Sequence, residues 1–239
     1  LSRGLGDVYK RQVFHESGTL VSGIIGGLYS STATISVLAR KSRKASEQEA
    51  TDYVAAMLLA VSMMFLRFMI LILIFSREIF LSIYPYLLTM AVVAAIVAWF
   101  IHSRQKRPED QPAETEEDDS SNPLEFKVAL IFAVLFVIFT FLTHYTLVYA
   151  GTGGLNLLSF VSGFSDIPPF ILNLLQNTGS VAALIITACS MQAIISNIMV
   201  NMFYALFFAG KGSKLRPWIL GGFGVVITCN LVLLLFFYI

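Results

Sequence analysis

Residues 54–76 read VAAMLLAVSMMFLRFMILILIFS, an unbroken apolar run with one formal charge, Arg67. A hydrocarbon core about 30 Å thick takes about 20 apolar residues of helix at 1.5 Å each. This stretch is long enough to span it. Outward from it, residues 79–101, 126–150, 181–209 and 218–239 meet the same requirement. The whole chain agrees: of 239 residues, 56% are hydrophobic and only 13% charged, with 20 Phe. Mean hydropathy is +0.76. A soluble domain carries about 25% charged residues. The expected fold class is an all-α polytopic membrane protein in contact with the lipid bilayer. The net charge of +1 gives no basic field for nucleic acid. Cys189 and Cys229 both sit in apolar runs, and their spacing forms neither a disulfide framework nor a CxxC metal site.

Two further segments, 20–39 and 155–175, are long enough to span but are interrupted. The first carries Gly23, Gly26 and Gly27, then Ser30, Ser31, Thr32 and Thr34. The second carries Gly163, Ser165, Asp166, Pro168 and Pro169. Proline lacks an amide donor and restricts the residue before it, so a helix breaks there. Backbone groups freed at membrane depth are tolerated only inside protein or beside water. Both segments therefore have the composition of a lining, and a re-entrant path is open to each.

A polar stretch, 103–124, divides the membrane part into halves at 13–102 and 125–239. It opens basic with Arg104, Lys106 and Arg107, then turns acidic from Glu109 to Asp119, the composition of a solvated, disordered linker. The halves resemble each other. Gly27-Leu-Tyr-Ser30 lies over Gly163-Phe-Ser-Asp166; in the following long helices Ser62 lies over Ser196 and Arg67 over Asn201. Internal repeats of this kind build many transporters.

Loop charges bear on topology. Arg40, Lys41, Arg43 and Lys44 follow the first broken segment, Arg104, Lys106 and Arg107 open the linker, and Lys211, Lys214 and Arg216 precede the last helix. All three basic loops share one side only if 155–175 enters and leaves on the same face. Otherwise the last of them falls outside. A re-entrant second segment is therefore expected, by analogy a similar first one, and halves of inverted topology. The linker 103–124 is then cytoplasmic and the protein sits in the inner membrane.

Away from loops and helix ends only Arg67 and Asp166 are charged. Each costs about 2.5–3.5 kcal/mol at a helix centre on insertion scales, and such residues mark pathways or pair with each other. Arg67 precedes Ser76 by nine residues, about 13 Å of helix. A cross-repeat ion pair, or a shared anion and proton site, is one expectation; a structural pair that locks the bundle without a ligand is the other. Gln192, Ser196, Asn197 and Asn201 form a polar band along one helix face. Such a band either hydrogen-bonds between helices or lines a hydrophilic path. The candidate pathway residues are Ser30, Ser31, Thr32, Arg67, Asp166, Ser196, Asn197 and Asn201. No catalytic residue, metal ligand or cofactor is expected. An aspartyl protease needs two carboxylates, the apolar portion holds only Asp166, and neither HExxH nor GxSxG occurs.

Residues 1–12, LSRGLGDVYKRQ, differ from all that follow. Positions 7–12 back-translate to GAT GTG TAT AAG AGA CAG, which resembles the transposase end of a sequencing adapter. These residues are expected to be an artefact, and the chain an N-terminally truncated fragment.

Ser22-Gly-Ile-Ile-Gly-Gly-Leu-Tyr-Ser-Ser-Thr-Ala-Thr34, Met64-Phe-Leu-Arg67, Ser162-Gly-Phe-Ser-Asp166 and Ser196-Asn197 occur in this order. Together they resemble the MgtC/SapB-type membrane proteins that carry the C-terminal domain of unknown function 4010. The resemblance implies a preceding MgtC-like membrane domain and no established activity. Its pattern has a second Asp where Pro168 stands and Lys where Asn201 stands, which tells against a two-carboxylate cation site. Two functions are expected from these features: a transporter- or channel-like module for a small ion or polar solute, or a regulatory membrane subunit acting through a partner. A homo-oligomer is open in either case.

Overall fold

The computed structural model describes residues 3–43, 45, 47–104, 124–164, 167–176, 182–210 and 215–238. All regular structure among them is helical: α1 (Arg3–Lys41), α2 (Glu47–Phe75), α3 (Arg77–Ser103), α4 (Leu124–Ser162), α5 (Ile167–Gln176), α6 (Ala183–Ala209) and α7 (Arg216–Tyr238). Five helical stretches among the described residues are long and apolar enough to cross a membrane: Gly18–Lys41, Thr51–Phe75, Arg77–Ser103, Ala183–Ala209 and Arg216–Leu235. The chain is an all-α, multi-pass membrane protein by helix length and composition. The first limb of α4 supplies the helix expected at 126–150.

Two of the helices are broken. Ser30 leaves the helical region in α1 (φ −154°, ψ 107°), and Gly151 does so in α4 with φ 59°, a conformation open to glycine at little cost. At Ser30 the chain folds back sharply. A Cβ on Gly26 would lie 2.5 Å from Thr34 Oγ1, although eight residues of straight helix would hold the two about 12 Å apart. The incoming limb packs on α2 through its glycines. A Cβ on Gly23 would stand 2.3 Å from the Ala56 carbonyl oxygen, and one on Gly27 2.5 Å from Ala60 Cα. Small residues four apart on both helices let the backbones meet. The order 23, 27 against 56, 60 makes this limb parallel to α2, and the second limb returns to the end where α2 begins. Helix α1 is therefore a helical hairpin, and its length alone would have counted it as one straight span.

The second broken segment repeats the arrangement. The limb of α4 after Gly151 runs parallel to α6: Asn156 meets Cys189, Phe160 meets Ser196 and Gly163 meets Asn197. Gly163 thus lies level with Asn197, about 21 Å along α6 from its start at Ala183. Helix α5 ends at Gln176, and seven chain steps to Ala183 reach at most about 24 Å. A further 15 Å of α5 fits only if it heads back toward the start of α6. Asn173 Nδ2 donating to Thr140 Oγ1 at 2.8 Å and the Phe139–Phe170 edge contact hold it against the first limb of α4.

Three basic segments converge on one end of the bundle. The Arg43 guanidinium donates to the carbonyls of Phe207 and Phe208 at the C-terminus of α6. Asp52 near the start of α2 and His102 at the end of α3 are 2.7 Å apart. Ile101 and Leu58 pack where a Cβ on Gly222 of α7 would point. So α2 starts and α6 ends at the basic face, while α3 ends and α7 starts there. The corresponding helices of the two halves run in opposite directions. One hairpin enters from the basic face and the other from the opposite face. Helix α6 is the centre of the bundle, with 72% of its most apolar window buried against 22–44% in the other four spans. Of the Met residues of α2, Met57 and Met64 lie in the core and Met69 packs against it.

Candidate functional site at the two hairpin tips

The two breaks lie at nearly the same depth. Arg40 of α1 sits 4.3 Å over the Phe208 ring of α6. Nine residues back, about 13 Å on each helix, are Ser31 and Met199. Gly163, at the other tip, is tied to Asn197, about 3 Å from the level of Met199. The opposed hairpins bring their irregular backbone to one layer around α2 and α6.

At the first tip, Ser30 caps the returning limb: its Oγ accepts from the Ala33 N–H at 3.3 Å, a bond open to Ser at an N-cap. Thr34 Oγ1 donates back to the Ser30 carbonyl at 2.8 Å, and Ser36 Oγ to that of Thr32 at 2.8 Å. The carbonyl of Tyr29, freed by the break, accepts from Arg67 Nη1 at 2.5 Å. Arg67 thus reaches from α2 to the hairpin tip. Ser31 is buried, while Ser30 and Thr32 are half-buried.

At the second tip, α6 supplies the donors. Ser196 Oγ donates to the Phe160 carbonyl at 2.7 Å, and Asn197 Nδ2 to that of Gly163 at 3.1 Å. Asn201 Nδ2 donates in turn to Asn197 Oδ1 at 3.1 Å. Gly163 permits this approach, since a Cβ there would fall 2.4 Å from Ser196 Cβ and 2.6 Å from the Ala193 carbonyl oxygen. Each hairpin therefore has the last carbonyls of its incoming limb held by polar side chains of the long helix that follows. In lipid, where no water satisfies such groups, that service keeps a broken helix tenable.

The candidate residues Arg67, Ser196, Asn197 and Asn201 are thus placed at the tips with Ser30, Ser31 and Thr32. Asp166 lies outside the described residues, and with it the proposed partner of Arg67. Ser62, aligned with Ser196, serves a different neighbour: its Oγ donates to the Ala91 carbonyl of α3 at 2.8 Å. Sequence reading missed three polar links. They are Asp52 with His102, Asn173 with Thr140, and the buried Tyr86 hydroxyl donating to Asn230 Oδ1 between α3 and α7. Each joins single polar residues far apart in sequence, and no spacing rule pairs them. No group of three or more His, Cys, Asp or Glu that could hold a metal occurs among the described residues.

An uncharacterized protein of Aquifex aeolicus (strain VF5) is 25% identical over 224 residues, covering 91% of this chain and 94% of that protein. No solved structure gives a significant match. A family profile described as a domain of unknown function (DUF4010) matches residues 4–209, which include both hairpins and α2, α3 and α6. The chain belongs to the DUF4010 family.

Proposed function

We propose that this protein moves a small ion or polar solute across the membrane, through the layer where the hairpin tips meet. One observation carries the reading: two broken helices of inverted orientation end at one depth, their freed carbonyls held by α2 and α6. Discontinuous helices at the interface of inverted repeats are where transporters bind substrate and coupling ion. A purely structural bundle gains nothing from two half-crossings, since a straight helix satisfies its backbone without help. Neither a catalytic apparatus nor a cofactor enters this proposal. The basic end faces the cytoplasm of a bacterial inner membrane, with the linker 103–124 on that side.

The test is flux. Full-length protein reconstituted in vesicles is expected to conduct or exchange a small solute, and Arg67→Gln and Asp166→Asn are expected to lower the rate at least tenfold. Flux unchanged by both substitutions would remove the assigned site. A protein with no flux for any ion, which co-purifies with a partner through the linker, would instead be a regulatory subunit.

A further inference from the structure

Between the second hairpin tip and the basic end, one face of α6 is bare. Ser196 is buried under the α4 limb, to whose Phe160 carbonyl it donates. That limb is tied to Asn197 at Gly163, close to its end. Seven residues make almost two turns, so Phe203 continues the face of Ser196 past the end of the limb. Phe203 is 60% exposed and Phe207, one turn further, 63%. From Asn197 to Phe208 is about 16 Å of helix, close to half of a hydrocarbon core about 30 Å thick. The half-crossing hairpin thus leaves an apolar recess one leaflet deep.

The mouth of this recess is positively charged. Phe203, Tyr204, Phe207 and Phe208 form a cluster with neighbouring ring centroids 5.2–6.2 Å apart. Arg40 lies over the Phe208 ring, and Arg43 donates to the Phe207 and Phe208 carbonyls. Both arginines are exposed. Arg43 offsets the negative end of the α6 dipole, and its bonds to the two carbonyls engage only part of its five N–H donors. In sequence, residues 40–46 and 210–216 hold seven Lys or Arg and no acid. The field at this end of α6 therefore attracts an anion.

We propose that this face binds one anionic phospholipid, its acyl chains along Phe203 and Phe207 and its phosphate on Arg40, with Arg43 beside it. Guanidinium donors match phosphate oxygens bidentately, and basic groups at the cytoplasmic ends of membrane helices attract anionic headgroups. A free phosphate would use the charge and leave the aromatic face bare, whereas a phospholipid satisfies both. Arg104 offers an internal comparison: it lies 4.5 Å over the Phe100 ring, the same cation–π pair, but on α3, a full-length span. The site is independent of the transport reading.

The experiment is thermal unfolding of the purified chain in detergent with phosphatidylglycerol or phosphatidylcholine of the same acyl chains. Phosphatidylglycerol at about ten times its Kd is expected to raise Tm by about 3–6 °C more than phosphatidylcholine. Arg40→Gln is expected to remove most of that difference and Arg104→Gln to leave it. Phe203→Ser with Phe207→Ser should require at least fivefold more phosphatidylglycerol for the same rise. Should that pair fail to fold, the two arginine variants still decide. Native mass spectrometry is expected to retain phosphatidylglycerol on the wild type and to lose it with Arg40→Gln. Equal Tm in the two lipids overturns the proposal, as does a loss with Arg104→Gln as large as with Arg40→Gln. An equal rise with inorganic phosphate would make this an anion site without a lipid. A lipid-free dimer broken by Phe207→Ser would assign the face to a second copy, and either result overturns the proposal.

Discussion

Arg67, two-thirds of the way along α2, donates a hydrogen bond to the carbonyl of Tyr29, the last residue before α1 breaks. A charge that costs about 2.5–3.5 kcal/mol to insert is here set against a backbone group that would otherwise lack a donor. Charge and break therefore explain each other.

Arg67→Met is accordingly expected to destabilise the protein by about 1.5–3 kcal/mol, the range for a hydrogen bond to a charged group. Arg67→Lys keeps the charge with one donor point in place of a planar fork, and should fall between. Chemical denaturation in detergent checks the order wild type, Lys, Met.

The glycine seam gives a sharper contrast. Gly23→Ala and Gly27→Ala place a methyl within 2.3 and 2.5 Å of the α2 backbone, so each is expected to cost about 1–3 kcal/mol by overpacking. Gly221→Ala and Gly224→Ala in α7 meet nothing within 4 Å, and there the helix propensity of Ala should leave stability equal or higher. Thermal unfolding of the four variants tests the hairpin packing, since a straight, separate α1 would level the difference.

Tyr86 and Asn230 form a buried clasp between α3 and α7. A double-mutant cycle with Tyr86→Phe and Asn230→Leu is expected to give a coupling energy of about 0.5–1.5 kcal/mol. The double variant should be less destabilised than the sum of the singles, because neither partner is then left unsatisfied.

Arg43 closes the C-terminus of α6 from the other half of the molecule. Arg43→Gln is expected to lower stability by only about 0.5–1 kcal/mol, given its exposure. Amide hydrogen exchange should rise in the last turn of α6, around Phe207–Ala209, and stay unchanged at its N-terminal end.

Much of the architecture was legible because membrane insertion makes local composition decisive. The apolar runs marked the long helices, and Ser30 and the Gly163–Pro169 cluster marked the breaks. Loop charges alone favoured inverted halves, and the Arg43 and Asp52–His102 contacts gather the same basic segments at one end. Less could be read of the site. Arg67 stood out as a charge, but the backbone carbonyl of Tyr29 that it meets has no signature in a sequence. Asn197 and Asn201 were visible as a polar band, whereas the direction of their amides follows from the Gly163 carbonyl alone. The start of α2 at Glu47, ahead of the apolar run at 54, was hidden because a helix can continue past the hydrocarbon edge, where apolar composition no longer marks it.

The opposed hairpins are the claim on which the rest depends, and cysteine accessibility from each face tests it most directly. With Cys189 and Cys229 replaced, single cysteines at Gly18, Lys41, Gly153 and Gln176 would be treated in sealed, oriented vesicles with a membrane-impermeant thiol reagent. The account predicts that Gly18→Cys and Lys41→Cys react from one face, the one that also labels Arg104→Cys. Gly153→Cys and Gln176→Cys should react from the other. Labelling of Gly18→Cys and Lys41→Cys from opposite faces would make α1 a crossing and contradict the account.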